Sequence, residues 1–349
     1  MPKRIEVLVV DDSAYMRKVV SNLLQSDQNI FVADTARDGL DALEKIKKLK
    51  PSVVTLDVEM PRLDGLSALE RIMRECPTPV IMLSSLTQEG SETTVKALTM
   101  GAVDFVGKPS GTISLDIHKV QEELVAKVKV AAGASISNFR SPVIPRIERP
   151  VLTSAVSSSA SAPKRLVVIG SSTGGPNALQ QVIPRLPGNL PAAVMIVQHM
   201  PPGFTKSLAK RLNDSSQLEI CEAKEGDILQ NGKVYVAPGG YHMILRSKTL
   251  IGLNQEPPVH SVRPAVDVTL ESAVRYFGSK AVGVILTGMG FDGSKGSLIL
   301  KNAGGRIIAQ DEATCVVYGM PRVVVEMGKA DRIIPIQQIA DEIETMLMI

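Results

Sequence analysis

Residues 165–179 read "RLVVIGSSTGGPNAL". An apolar run closes on a glycine, two serines, a threonine and two more glycines, and a helix-like segment follows. This is the pattern of a buried parallel strand turning into a helix, the repeating unit of open α/β sheets. The polar turn then falls at the carboxyl end of a strand, where such sheets bind their ligands. Three readings compete: a phosphate cradle, a capped tight turn, or the seat of a nucleophilic serine. Gly170, Gly174 and Gly175 do not fit G-x-G-x-x-G, and the next strand, "VMIVQH" (194–199), ends in histidine instead of a ribose-gripping acid. The segment does fit G-x-S-x-G with Ser172 at its centre. A serine N-cap would explain the same residue without any chemistry.

Outward from this stretch the βα alternation continues. "AAVMIVQH" (192–199), "KVYVAP" (233–238), "AVGVILTG" (281–288) and "RIIAQ" (306–310) read as strands, and "IQQIADEIETMLMI" (336–349) closes with a helix. Elements between about 214 and 262 are shorter, so an antiparallel excursion is expected there. Upstream, "IEVLVV" (5–10), "SVVTLD" (52–57), "PVIML" (79–83) and "VDFVGKP" (103–109) repeat the buried-strand signal. Met16, Val19, Val20, Leu23 and Leu24 recur at helical spacing behind a capping Ser13. A helix from Asp116 carries Ile117, Val120, Leu124 and Val128 on one stripe. Between the two series, residues 133–163 are rich in Ser, Ala and Pro and lack an apolar period, as expected of a flexible linker. The fold class is therefore α/β, with two doubly wound parallel-sheet domains, 1–132 and 164–349, joined by that linker.

Composition limits what such a chain does. With 349 residues, 44% hydrophobic and 21% charged, two ordinary globular cores are expected. A net charge of +3, from 39 basic and 36 acidic residues, and only 3% aromatics argue against a nucleic-acid surface. Cys76, Cys221 and Cys315 are widely spaced and form no metal or disulfide pattern, as in a reduced compartment. No run approaches membrane-spanning length, and the start, "MPKRIEVLVVDD", is too soon acidic for a signal peptide. A cytoplasmic protein without membrane insertion is expected.

The polar residues at the strand ends carry the chemistry. In the first domain these are Asp11, Asp12, Asp57, Ser84 and the pair Lys108–Pro109. Three converging carboxylates repel one another, so a hard divalent cation such as Mg2+ belongs among them, with Lys108 adding positive charge. Such a cluster can receive a phosphoryl donor, and Asp57, centrally placed, would be the nucleophile. This set resembles the response-regulator receiver domain. The resemblance implies Asp57 as phosphoacceptor, metal ligation by Asp12 and Asp57, Asp11 acting through water, and the backbone oxygen of Glu59 completing the set. It also implies Ser84 and Lys108 as phosphate-sensing groups and Phe105 as a switch aromatic.

In the second domain a nucleophilic Ser172 would need a base, and the chain holds four histidines. His118 lies off the apolar stripe of its helix, and His242 and His260 sit in turn-rich segments where a surface role is the default. His199 ends the strand after the helix that follows Ser172, so adjacent parallel strands would bring the two to one sheet edge. Among orienting carboxylates, Asp292 in the glycine-rich "TGMGFDG" (287–293) competes with Asp311 and Asp267, the last better explained as a helix-start charge.

"GSSTGGP", "QHMPPGFT", "VYVAPGGYHM", "HSVRPAVDV", "LTGMGFDG" and "CVVYGMPR" resemble the catalytic domain of chemotaxis protein-glutamate methylesterases, the CheB family. That resemblance implies Ser172 as nucleophile, His199 as general base and acid, and Asp292 as orienting carboxylate. It further implies an oxyanion donor at the Met289 N–H, with Thr173 and Arg263 in the cleft. Ser171 stands where many members carry alanine, a change not expected to alter Ser172. The implied activity is phosphorylation-activated hydrolysis of glutamate γ-methyl esters on chemoreceptors, with glutamine deamidation as related chemistry. The implied phosphodonor is a chemotaxis histidine kinase.

Overall fold

A computed structural model describes residues 4–85, 87–108, 117–134 and 162–348. The expected linker falls mostly, over 135–161, outside the described residues, as do Pro109 and Asp116. The chain divides into two compact units, Met1–Arg140 and Ser141–Ile349.

The first unit alternates β1 (Ile5–Val10), α1 (Ala14–Gln25), β2 (Ile30–Ala36), α2 (Gly39–Leu49), β3 (Val53–Asp57), α3 (Gly65–Glu75), β4 (Val80–Ser84), α4 (Gln88–Met100), β5 (Asp104–Gly107) and α5 (Ile117–Ala132). Its five parallel strands run in the order β2-β1-β3-β4-β5. The central strands are apolar because both faces are covered: Val7 to Val10 and Ile81 to Leu83 are all buried. Ser13 caps α1 by accepting the Met16 N–H, and Asp38, Asp64 and Thr87 cap the next three helices in the same way. Each cap starts its helix just beyond a strand end, which leaves Asp11, Asp57, Ser84 and Lys108 along one edge of the sheet.

The second unit contains β6 (Leu166–Ser171), α6 (Gly175–Val182), β7 (Ala193–Gln198), α7 (Phe204–Ser215), β8 (Glu219–Glu222), β9 (Lys233–Val236), β10 (His242–Leu245), β11 (Ile251–Asn254), α8 (Val266–Phe277), β12 (Ala281–Ile285), α9 (Ser294–Asn302), β13 (Arg306–Gln310), α10 (Met320–Glu326), β14 (Arg332–Ile334) and α11 (Ile339–Met348). Seven parallel strands form one sheet in the order β14-β13-β12-β6-β7-β9-β8. The antiparallel excursion is narrower than expected. Among the strands of the described residues, β10 and β11 alone pair antiparallel, whereas β8 joins the main sheet in parallel with β9. The reason is register: Ile220 and Cys221 of β8 lie opposite Val234 and Tyr235 of β9, so an apolar pair extends the sheet instead of folding back.

Where α9 crosses α8 the contact is close enough to need a glycine. A Cβ at Gly296 would stand 2.6 Å from Leu270 Cβ and 3.2 Å from Asp267 Cα. Leu270 belongs to the main apolar cluster, with Val168, Phe277, Ile285 and Leu300. Gly296→Ala should therefore lower stability by about 1–3 kcal/mol through overpacking. Urea unfolding checks this, and a variant as stable as the parent would show that the two helices can move apart freely.

Candidate active sites of the two units

At the carboxyl edge of the first sheet, Lys108 Nζ lies 2.7 Å from Asp57 Oδ1 and 3.1 Å from Asp11 Oδ2. Asp11 and Asp57 are buried, while Asp12 is exposed. Burial pushes the Asp57 carboxyl up to about 6, and the Asp11 charge adds to this against the opposing pull of Lys108. Burial disfavours the Lys108 ammonium, but Asp57 and Asp11 more than offset it and raise its pKa. Asp57 is thus short of positive partners, and its buried Oδ2 has no hydrogen-bond donor among the described residues. Asp11, Asp12 and Asp57 each offer an oxygen within 4.8 Å of the others. An orphaned carboxylate oxygen within an all-oxygen donor set fits a hard divalent cation.

The remaining residues of this edge occupy defined places. The Glu59 N–H reaches Asp57 Oδ1 at 3.4 Å, which puts the 57–59 turn around the cluster. The Ser84 carbonyl accepts from the Lys108 N–H at 2.8 Å. Its hydroxyl accepts from Thr94 Oγ1 at 2.6 Å and donates to the carbonyls of Ser85 and Gly90, tying β4 to the start of α4. Phe105 is buried, and Lys127 Nζ sits 5.1 Å from its ring centre.

In the second unit, Ser171 and Gln198 are register partners on β6 and β7. Ser172 and His199 are therefore the next residues along, at one sheet edge. The His199 N–H donates to the Ser171 carbonyl at 3.1 Å. Helix α6 begins only at Gly175 and receives no side-chain cap, so Ser172 is not an N-cap. His199 Nε2 lies 2.8 Å from Asp292 Oδ2, leaving Nδ1 as the ring nitrogen available to a second partner. Asp292 also accepts the N–H groups of Val266, Asp267 and Gly293 at 2.6–3.0 Å. Burial alone would raise its pKa, but His199 and the N–H groups of Asp267 and Val266 outweigh it and hold the carboxyl below its usual range.

The loop after β12 wraps over Ser172. Its Thr287 carbonyl accepts the Ser172 N–H at 3.0 Å. A Cβ at Gly288 would meet Ser172 Cβ at 2.8 Å and Met320 Sδ at 2.4 Å, so only glycine permits this approach. Met289 follows immediately, its side chain exposed, and its N–H donates to no carbonyl among the described residues. Thr173 is buried, and its carbonyl accepts from Thr287 Oγ1 at 3.0 Å. Arg263 directs Nη1 to the carbonyls of Gln255 and Glu256, bracing the segment that leads into α8.

The rival residues lie elsewhere. Asp311 closes its own turn through Thr314, and Asp267 stands in the first turn of α8. His118 is exposed. Contrary to the surface role expected of it, His242 is buried, which the Pro257 carbonyl permits by facing its Nε2 at 3.2 Å. His260 is exposed, as expected, and pairs with Asp267 at 3.0 Å.

Two groups escaped the sequence reading. Gln198 accepts from Ser171 Oγ at 2.7 Å and donates to the carbonyls of Ser172 and His199, so it fixes both loop ends. Ser171 is thus linked to the Ser172 carbonyl through Gln198. Thr287 ties Thr173 to Val317 through its hydroxyl. A glutamine closing an otherwise apolar strand was the available signal for the first; the threonine offered none.

Comparison with known proteins identifies the family. Residues 167–343 match the CheB methylesterase family and residues 7–118 the response regulator receiver domain. A protein-glutamate methylesterase/protein-glutamine glutaminase of Symbiobacterium thermophilum is 57% identical over 347 residues, covering 97% of this chain and 96% of that protein. A protein of the same name from Thermotoga maritima is 47% identical, with 97% of each chain covered. The crystal structure of the Thermotoga maritima CheB methylesterase catalytic domain superposes with a TM-score of 0.51 at 49% identity, covering 52% of this chain and 97% of that one. No helix among the described residues is long and apolar enough to cross a membrane. With both domains and nearly the full length matched, the chain belongs to the CheB methylesterase family, in the form that carries a receiver domain ahead of the esterase domain.

Proposed function

We propose that the chain is a cytoplasmic protein-glutamate methylesterase acting on chemoreceptors, switched on by phosphorylation of Asp57 by a chemotaxis histidine kinase. The observation that carries the esterase reading is the His199–Asp292 pair at the sheet edge that also holds Ser172. Ser172 Oγ attacks the γ-ester carbonyl while His199, through Nδ1, takes the hydroxyl proton. Nε2–H stays on Asp292, whose charge stabilises the imidazolium. The Met289 N–H, beside the close approach of Gly288 to Ser172, donates to the oxyanion, and Thr173 and Arg263 shape the cleft. Collapse of the tetrahedral intermediate expels methanol with the proton from His199 and leaves a glutamyl ester on Ser172. Water, deprotonated by His199, then releases the free glutamate. A glutamine amide would form the same acyl-enzyme with ammonia as leaving group, which is the second activity in the relatives' names.

Asp57 is the phosphoacceptor of the receiver, which takes residues 1–132, with 133–163 as its tether to the esterase at 164–349. Asp12, Asp57 and the Glu59 carbonyl would hold Mg2+, with Asp11 acting through water; the bound ion would neutralise the carboxylates and draw charge from the incoming phosphate. Lys108 steadies the product phosphate, Ser84 senses it, and Phe105 carries the change to the surface.

Methanol release from methylated receptor membranes, with and without a small phosphodonor, tests the whole reading. Ser172→Ala and His199→Ala should each cut the rate by about a thousandfold or more, and the double variant should be no worse. Asp292→Asn should be impaired and Asp311→Asn near normal; the reverse order would reassign the carboxylate. Labelling of Asp57 by the phosphodonor should vanish in excess chelator, and labelling that persists would overturn the cation site.

Asp57 also makes a stability prediction. Its folded pKa of about 6 exceeds the unfolded 3.8. Its contribution to stability is therefore fully present below pH 3.8 and lost as pH rises through 6. Above that range the ionised group costs on the order of 2–3 kcal/mol. Asp57→Asn should raise the receiver melting temperature at pH 8 and lose that advantage near pH 4; calorimetry at both pH values decides it.

A further inference from the structure

His260 lies in a two-residue turn closed by reciprocal N–H···O bonds between Val259 and Val262, at 3.0 and 3.1 Å. His260 and Ser261 both have positive φ, 53° and 64°. Such a turn ordinarily takes Asn-Gly, because side chains crowd the backbone in this region. The left-handed backbone at His260 draws attention to what its ring touches.

Two contacts of the ring lead toward Asp292. Nε2 is 3.0 Å from Asp267 Oδ2, and the Phe291 ring packs against the imidazole in an edge-type arrangement with centroids 4.4 Å apart. Phe291 is the chain neighbour of Asp292. Asp267 is buried and donates its own N–H to Asp292 Oδ1 at 3.0 Å. Two His–Asp pairs thus stand in series, His260–Asp267 and Asp292–His199, joined through one backbone N–H. Packing does not account for this. Phe291 is 51% exposed, so its contact with His260 buries little apolar surface. Asp267 already has the Gly296 N–H, at 2.7 Å, to hold it at the helix start.

We propose that His260 is a positioning residue of the esterase site, clamping Asp267 and Phe291 so that the Asp292 carboxylate keeps His199 aligned with Ser172. The proposal rests on the reading of Ser172, His199 and Asp292 as the catalytic set. Burial raises the Asp267 carboxyl and the neighbouring Asp292 charge adds to this, while the Gly296 N–H and His260 act against it. His260 therefore favours the ionised Asp267 that accepts its bond.

The test uses the full-length protein, activated with a small phosphodonor, and measures methanol release from methylated receptor membranes. A second readout is the rate at which a fluorophosphonate probe labels Ser172, which needs no receptor. His260→Ala should lower kcat about tenfold with KM nearly unchanged, and slow labelling to a similar degree, because misalignment acts on the chemical step. His260→Gln, whose amide can still donate to Asp267, should recover most of the rate. Phe291→Ala, at an exposed position that folding tolerates, should lower kcat by a few fold. A normal kcat in His260→Ala would overturn the proposal, as would an effect confined to KM. A Gln variant that melts normally yet is as slow as the Ala variant would overturn it too. If instead Ser172→Ala still labels and turns over, the underlying catalytic set is wrong, a result separate from any of these.

Discussion

The second unit depends on how one carboxylate is satisfied. Asp292 accepts four donors: His199 Nε2 and the N–H groups of Val266, Asp267 and Gly293. Two of these open helix α8, whose N-cap, Ala265, has no side chain able to cap it. Asp292 therefore serves as a cap supplied from a distant loop, and the positive end of the helix favours its charge. The same bonds fix the loop that carries Gly288 and Met289 over Ser172, and they set the orientation of His199. Helix termination, loop placement and imidazole alignment are one interaction here. Gly296 belongs to it as well, since only a glycine lets α9 close against α8 and give its N–H to Asp267.

Much of this was legible in the sequence, because a parallel strand buried on both faces announces itself as a continuous apolar run, and the residue after that run marks the ligand edge. Asp11, Asp57, Ser84, Lys108, Ser172 and His199 were all found by that rule. Strands that escaped it include β2, β8 and β14, each at the edge of a main sheet, and the β10–β11 pair, foreseen only as part of a short antiparallel excursion. Asp34 and Thr35 interrupt β2, Glu219 and Glu222 bound the two apolar residues of β8, and β14 is only three residues long, so none of these three shows a continuous apolar run. Side-chain bonds were illegible for a different reason. That Gln198 would hold the Ser172 carbonyl, or that His242 would be buried, depends on contacts between residues far apart in sequence, which periodicity does not encode. Asp292 lay between the two cases: its loop was visible, but Asp311 and Asp267 could be set aside only once their own partners were seen.

Two aspartates at equivalent sheet edges have been given opposite electrostatic surroundings, and the difference matches their chemistry. Asp292 is saturated with donors and sits below the usual carboxylate range, which suits the orienting role proposed for it. Asp57 has one cation shared with Asp11, an oxygen without a donor, and a raised pKa. A carboxylate so poorly compensated gains whenever positive charge or a covalent partner reaches it, whereas Asp292 has nothing to gain from either. The receiver edge is thus built to respond to what binds, and the esterase edge to hold its geometry unchanged. Since both edges come from the same strand–loop–helix unit, what separates the proposed switch from the proposed catalytic set is the number of donors each fold directs at its buried carboxylate.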